Sequence, residues 1–208
     1  MTRTEALKAA HALVQYLEAA NDDEPVAPAP PAATGKALAW GAKVSQVFRD
    51  RVQWLADDLG MDVNHVMACI AWESGRSFRA DVRNMAGSGA TGLIQFMPNT
   101  ARGLGTTTDK LAAMTPEDQL NFVWKYFAPN KGKLKTLGDV YGAILWPAMI
   151  GKPDSYVLWD QASRPTTYRQ NAGLDTDKDG RITRRETVAK VAALLEEGLR
   201  PGNVWRPA

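Results

Sequence analysis

From residue 37 to residue 150 apolar side chains recur at three- and four-residue spacing, in short runs each cut off by a glycine or a proline. No segment keeps up strict alternation. A chain written this way folds as many short helices around one core and cannot build a large sheet. Residues 37–59 set Leu38, Val44, Val47, Phe48, Val52, Leu55 and Leu59 on one face, closed by Gly60. Asp62 supplies an N-cap for a helix from Val63 to Trp72 that buries Val66, Met67 and Ile70. At Thr115-Pro116-Glu117-Asp118 a capping Thr, a Pro at the first helical position and acids in the first turn mark another start. That helix carries Leu120, Val123, Trp124 and Phe127 to a stop at Pro129, and the apolar run from Gly138 to Ile150 is broken by Pro147. The expected fold class is mainly α, with strand content confined to a short hairpin around residues 79–92.

Composition narrows the function classes. A formal charge of +2 over 208 residues is too weak for a nucleic-acid partner, though it favours encounter with an acidic polymer. The single cysteine, Cys69, excludes an internal disulfide. It reads as a small buried residue; a nucleophilic pairing with His65, four residues earlier, is the alternative. The N-terminus lacks the apolar core of a signal peptide, and no stretch approaches a membrane span. A monomer is expected.

Residues 4–20 place Leu7, Ala10, His11, Val14 and Leu17 at helical spacing, so residues 1–20 read as an amphipathic helix. It is either a docking element for a delivery partner or a helix folding back on the main domain. The stretch 21–36, rich in proline and alanine, reads as a semi-rigid linker.

Residues 68–105 concentrate the candidate chemistry. An apolar helix runs into Glu73-Ser74-Gly75, where it must stop or bend, and the glycine-rich turn Gly87-Ser88-Gly89-Ala90-Thr91-Gly92 follows. A second apolar segment, Leu93-Ile94-Gln95-Phe96-Met97, leads into Pro98-Asn99-Thr100-Ala101. One carboxylate is thereby held at a helix end, facing a turn whose backbone can approach a ligand closely. Apolar neighbours, Trp72 and the negative helix end all raise a carboxyl pKa. The competing role for Glu73 is an ion pair with Arg76 or Arg79.

Near the C-terminus, Asp175-Thr176-Asp177-Lys178-Asp179-Gly180-Arg181-Ile182-Thr183-Arg184-Arg185-Glu186 matches the twelve-residue EF-hand loop at its diagnostic positions. Asp175, Asp177 and Asp179 offer single oxygens, Gly180 makes the sharp turn, and the Arg181 carbonyl follows. Thr183 holds a bridging water and Glu186 closes the shell with both oxygens. Ile182 packs into the core. Calcium is the expected ion, in a structural role, because a lone loop lacks the partner through which sensor hands open.

The central motifs resemble a known family. Glu73-Ser74, Gly89-Ala90-Thr91-Gly92-Leu93-Ile94-Gln95 and Met97-Pro98-Asn99-Thr100-Ala101 are similar to the E-S, G-A-x-G-L-M-Q and M-P-x-T-A motifs of the soluble lytic transglycosylases and goose-type lysozymes. Val140-Tyr141-Gly142 falls where that family has A-Y-N, with Gly142 in place of the Asn. The resemblance implies a lysozyme-like catalytic domain, here residues 37–165, followed by the loop and helix of 166–208. It also implies cleavage of the β-1,4 MurNAc–GlcNAc bond of peptidoglycan, leading to lysis of the bacterial cell, with Glu73 as acid and then base, supported by Ser74 and Tyr141. Gly92 and Gln95 line the cleft floor, and Phe96 and Trp146 (with Trp159) are candidates for stacking on sugars, with packing in the core as the competing role. Attack by the muramyl 6-hydroxyl makes a transglycosylase; attack by water makes a muramidase.

A two-carboxylate mechanism needs a second acid about 5–9.5 Å away. The candidates are Asp81, Asp109, Asp139 and Asp154. A different class of function, a catalytically inactive, calcium-stabilised wall-binding or assembly module, has the intact Glu73 against it. Without a signal peptide, synthesis in the cytoplasm and delivery to the wall by holin release, by a virion or by a secretion machine are expected, as for an endolysin or an effector.

Overall fold

The computed structural model describes residues 37–84 and 87–207. The helix expected over 4–20 and the linker over 21–36 lie outside the described residues.

The first helix, α1 (Gln46–Leu59), starts where Ser45 accepts a hydrogen bond from the Phe48 N–H, and ends at left-handed Gly60. It is shorter than the expected 37–59 face. The residues before it serve another purpose: Leu38 exchanges backbone hydrogen bonds of 2.9 and 3.0 Å with Trp205 near the other end of the described chain. Val47 faces solvent and is not part of the core.

Helix α2 (Val63–Glu73) is capped by Asp62, whose carboxylate accepts from the Asn64 N–H at 2.8 Å. Every residue from Val66 to Ala71 is buried. A helix apolar on all sides has to be enclosed by others, and the rest of the fold does this.

Two short helices follow, α3 (Pro98–Gly103) and α4 (Thr108–Ala112), and then α5 (Pro116–Phe127), capped by Thr115 as its sequence predicts. Packed on α1, α5 is fastened by Arg51 to Asp118 at 2.8 Å and by the Trp54–Trp124 ring pair at 6.1 Å. Helix α6 (Leu137–Leu145) has a reciprocal cap between Thr136 and Asp139 and ends before Pro147, as expected.

The only paired strands among the described residues are β1 (Val157–Asp160) and β2 (Arg181–Thr183), antiparallel, with Trp159 opposite Ile182. The hairpin expected over 79–92 amounts to one bridging pair, Arg83 with Thr91. The sheet forms instead where the acidic loop's own extended residues meet a four-residue apolar segment too short to show alternation. Between the strands lies α7 (Pro165–Asn171), and α8 (Arg184–Gly198) closes the chain. Helices α1, α6 and α8 all pack against α2. Leu158, Trp159, Ile182, Val191 and Leu194 belong to the same core cluster as α2, so the C-terminal segment shares the core of the helices before it.

Candidate active site

Glu73 is the last residue of α2, largely but not completely buried. Ser74 then ties off the helix. Its Oγ donates to the Ile70 carbonyl at 2.6 Å and accepts from the Phe78 N–H at 3.1 Å. The hydroxyl is thus committed to local backbone and does not hold the Glu73 carboxyl. Left-handed Gly75 and Arg76 turn the chain away.

Neither nearby arginine reaches Glu73. Arg76 makes a two-pronged pair with Glu197 on α8, at 2.9 and 2.8 Å, and Arg79 pairs with Asp81 at 2.8 and 2.6 Å. With no cation among the described residues to hold the charged form, burial pushes the Glu73 carboxyl up to about 7. The acid is therefore half-protonated near neutral pH.

Three other groups register the Glu73 charge. Burial first, and then Glu73, raises the hydroxyls of Tyr126, to about 12, and Tyr141, and the thiol of Cys69. The Trp72 side chain opposes the rise at Tyr141 by hydrogen bonding. Tyr141 is buried on α6, with its hydroxyl near enough to Glu73 to feel that charge. Tyr126 on α5 is a residue that sequence reasoning missed. Its hydroxyl donates to the Ala143 carbonyl on α6 at 2.7 Å, locking the two helices that bring both tyrosines to the acid. Position 126 reads in the sequence as one more aromatic at the edge of a core helix.

The glycine-rich turn is built on a buried glutamine that also escaped notice. Gln119 of α5 is fully buried; its Oε1 accepts from the Leu93 N–H at 2.6 Å, and its Nε2 donates to the carbonyls of Ala80 and Leu111. Gly92 is required beside it. Its φ is +87°, and a Cβ there would stand 2.3 Å from Gln119 Oε1. Gln95, itself at φ +52°, folds its side-chain amide back onto the carbonyls of Gly92, at 3.1 Å, and Val82. Gln95 remains partly exposed, whereas Phe96 is 2% exposed. Phe96 offers no face to a sugar, which corrects the stacking expectation. Its ring meets Tyr126 edge-on at 6.0 Å and so joins the turn to the tyrosines.

Trp159 is likewise core and stacks on no ligand. Trp146 is half-buried, edge-on to Trp159 at 5.8 Å and under the Arg164 guanidinium at 5.2 Å. Gly142 stands where Met149 folds back from the turn after α6: a Cβ would lie 2.9 Å from Met149 Cγ, so an Asn does not fit.

The four aspartates considered as a second acid are engaged elsewhere. Asp81 pairs with Arg79 and Asp109 with Arg83; Asp139 and Asp154 share Arg184. None contributes to the shift at Glu73. The Cys69–His65 pairing fails as well. Cys69 is 1% exposed with its thiol held protonated, and His65 Nδ1 has no hydrogen-bond partner.

A second cluster lies in the acidic loop. Carboxylate oxygens of Asp175, Asp177 and Glu186 come within 4.8 Å of one another. Glu186 Oε1 accepts from the Thr176 N–H and hydroxyl, and Oε2 from those of Thr183. Thr183 thus also caps α8 with its hydroxyl. Asp179 stands apart from that cluster, its Oδ1 accepting from the Arg181 N–H at 2.8 Å. Arg181 lies in β2, opposite Asp160. Gly180 makes the expected turn at φ +82°, and Ile182 is fully buried. Next to the loop, Arg184 reaches inward to Asp154 at 2.8 Å, Thr136 at 2.9 Å and Asp139 at 3.2 Å. The loop is thereby tied to the N-terminus of the helix that carries Tyr141.

Residues 52–145 match the family model of the transglycosylase SLT domain, and no curated protein matches the chain. No described helix is long and apolar enough to cross a membrane. The matched segment runs from α1 to the end of α6 and contains Glu73, the glycine-rich turn and both tyrosines. Residues 52–145 therefore resemble the transglycosylase SLT domain, the domain of lytic transglycosylases, which are glycosidase-type enzymes acting on peptidoglycan, and the fold around them is mainly helical and lysozyme-like.

Proposed function

We propose that this protein cleaves the β-1,4 MurNAc–GlcNAc bond of peptidoglycan with Glu73 as its general acid and base, and so lyses bacterial cells. One observation carries this reading: a carboxyl without a cationic partner, whose burial raises it to about 7. Such a group is protonated often enough to give a proton to the leaving oxygen, and ionised often enough to take one back. Tyr141 stands beside the charge that forms when Glu73 gives up its proton, and Tyr126 holds α5 against α6 around it. Gly92 and Gln95 shape the turn that receives the sugar, and Trp146 keeps a partly exposed ring at the C-terminal end of α6. With no second carboxylate among the described residues coupled to Glu73, the same residue activates the nucleophile in the second step. We favour the muramyl 6-hydroxyl over water as that nucleophile, because the matched domain is that of the transglycosylases. Mass spectrometry of products from purified sacculi tests this: 1,6-anhydro ends support it, whereas reducing ends overturn transglycosylation and leave a muramidase.

We further propose that Asp175, Asp177, Glu186 and the Arg181 carbonyl hold a calcium ion, with Asp179 joining from its place in the loop. The donors are all hard oxygens, and Asp175 Oδ1 is buried without a hydrogen-bond partner, as suits an oxygen meant for a cation. Bound calcium would neutralise the clustered carboxylates. Arg184 would pass that stabilisation to α6. The action is on the wall, from its periplasmic or outer side.

A further inference from the structure

In the acidic loop the two oxygens of Asp175 are treated differently. Oδ1 is buried and accepts nothing, on a residue only 8% exposed. Oδ2 accepts two hydrogen bonds, from the Tyr168 hydroxyl at 2.6 Å and from the Gly180 N–H at 3.1 Å. A buried oxygen without a donor is unfavourable unless something else meets it. Asp177 and Glu186 bring their carboxylates to the same place.

The residue that fixes this arrangement lies outside the twelve-residue loop. Tyr168 is on α7, seven residues before Asp175, with its ring packed against the core. Glu186 is oriented by Thr176 and Thr183 from within the loop, and Asp177 and Asp179 accept from backbone N–H groups within it. Asp175 alone among these carboxylates accepts from a side chain beyond the loop. The helix that leads in is only seven residues long and ends four residues before Asp175, so helix length does not set where the loop begins.

We infer that Tyr168 is a positioning residue for cation binding. By holding Oδ2 it prevents the carboxylate from rotating and aims Oδ1 at the ion. The inference rests on the calcium reading above and adds to it a residue that the loop motif does not contain. Hydrogen bonds to ligating carboxylates of this kind typically change metal affinity by about 10- to 100-fold when removed.

The test uses the full chain and Tyr168→Phe, which keeps the packed ring and removes only the O–H. Calcium affinity is measured by competition with a chromophoric chelator, and melting temperature is measured with and without calcium. The expected result is affinity weaker by about tenfold, with a smaller calcium-induced rise in melting temperature. A purely structural Tyr168 would instead lower both melting temperatures equally and leave affinity unchanged, and that outcome overturns the inference. Failure of the wild-type protein to bind calcium overturns the calcium reading itself and is seen before the variant is compared.

Discussion

Glu73 is held where its charge is unwelcome. Its folded pKa of about 7 exceeds the ordinary 4.5, so the folded state keeps a proton that the unfolded chain releases between those values. The sign follows directly. Below pH 4.5 both states are protonated and Glu73 has no effect, and its destabilisation grows as pH rises toward 7, then levels off. Glu73→Gln is therefore expected to be more stable than wild type at pH 8, by about 3 kcal/mol at most and so with a higher melting temperature, and equally stable at pH 4. Thermal unfolding across that range checks it, and a constant difference at all pH values would contradict the buried acid. Tyr141→Phe is expected to lower kcat far more than it raises KM, because the hydroxyl matters when the nearby charge appears. Steady-state kinetics on soluble glycan fragments separates the two. Tyr126→Phe leaves the Ala143 carbonyl without its donor and is expected to cost about 1 kcal/mol of stability.

At the scale of elements, the buried Arg184–Asp139 pair is the main cross-brace, with side chains 9% and 6% exposed. Asp139→Ala takes one partner from a buried guanidinium that keeps Asp154 and Thr136, and removes the Asp139 half of the reciprocal cap of α6, so a loss of about 1–3 kcal/mol is expected in chemical denaturation. How far each element could be read from the sequence follows from how local its cause is. Asp62, Thr115-Pro116 and the break at Pro147 announce helix ends through bonds made within one turn, and the observed helices follow them. The placing of Glu73 at a helix end was legible because its motif surrounds it, and the turn at Gly180 because the spacing of the acidic loop is rigid. The β1–β2 pair, the Leu38–Trp205 pairing, Gln119 under the turn and Tyr126 beside the acid were not. Each depends on a partner far away along the chain, and nothing at Gln119 or Tyr126 tells a buried buttress from an ordinary helix residue. Phe96 misled in the opposite way: an aromatic in a ligand-binding turn looks available, and only packing shows that it is not.

Across the whole molecule, the acid, the turn and the acidic loop share one core, and α8 connects them. Its Glu197 fixes Arg76 just past Glu73, and Leu194 accepts from the Trp40 indole near the start of the described chain. Loss of the proposed loop ion is therefore expected to loosen the fold well beyond the loop. A chelator is expected to lower the melting temperature, and calcium at about a hundred times its dissociation constant to restore about 2.7 kcal/mol; a melting temperature indifferent to both would remove the metal from the description. The central claim remains the proton on Glu73, and clearing of purified cell walls followed by turbidity at pH 6 tests it most directly. Catalysis by Glu73 predicts rapid clearing by the wild type and a loss of at least about 10²-fold in Glu73→Gln, whereas equal clearing by both proteins would contradict it.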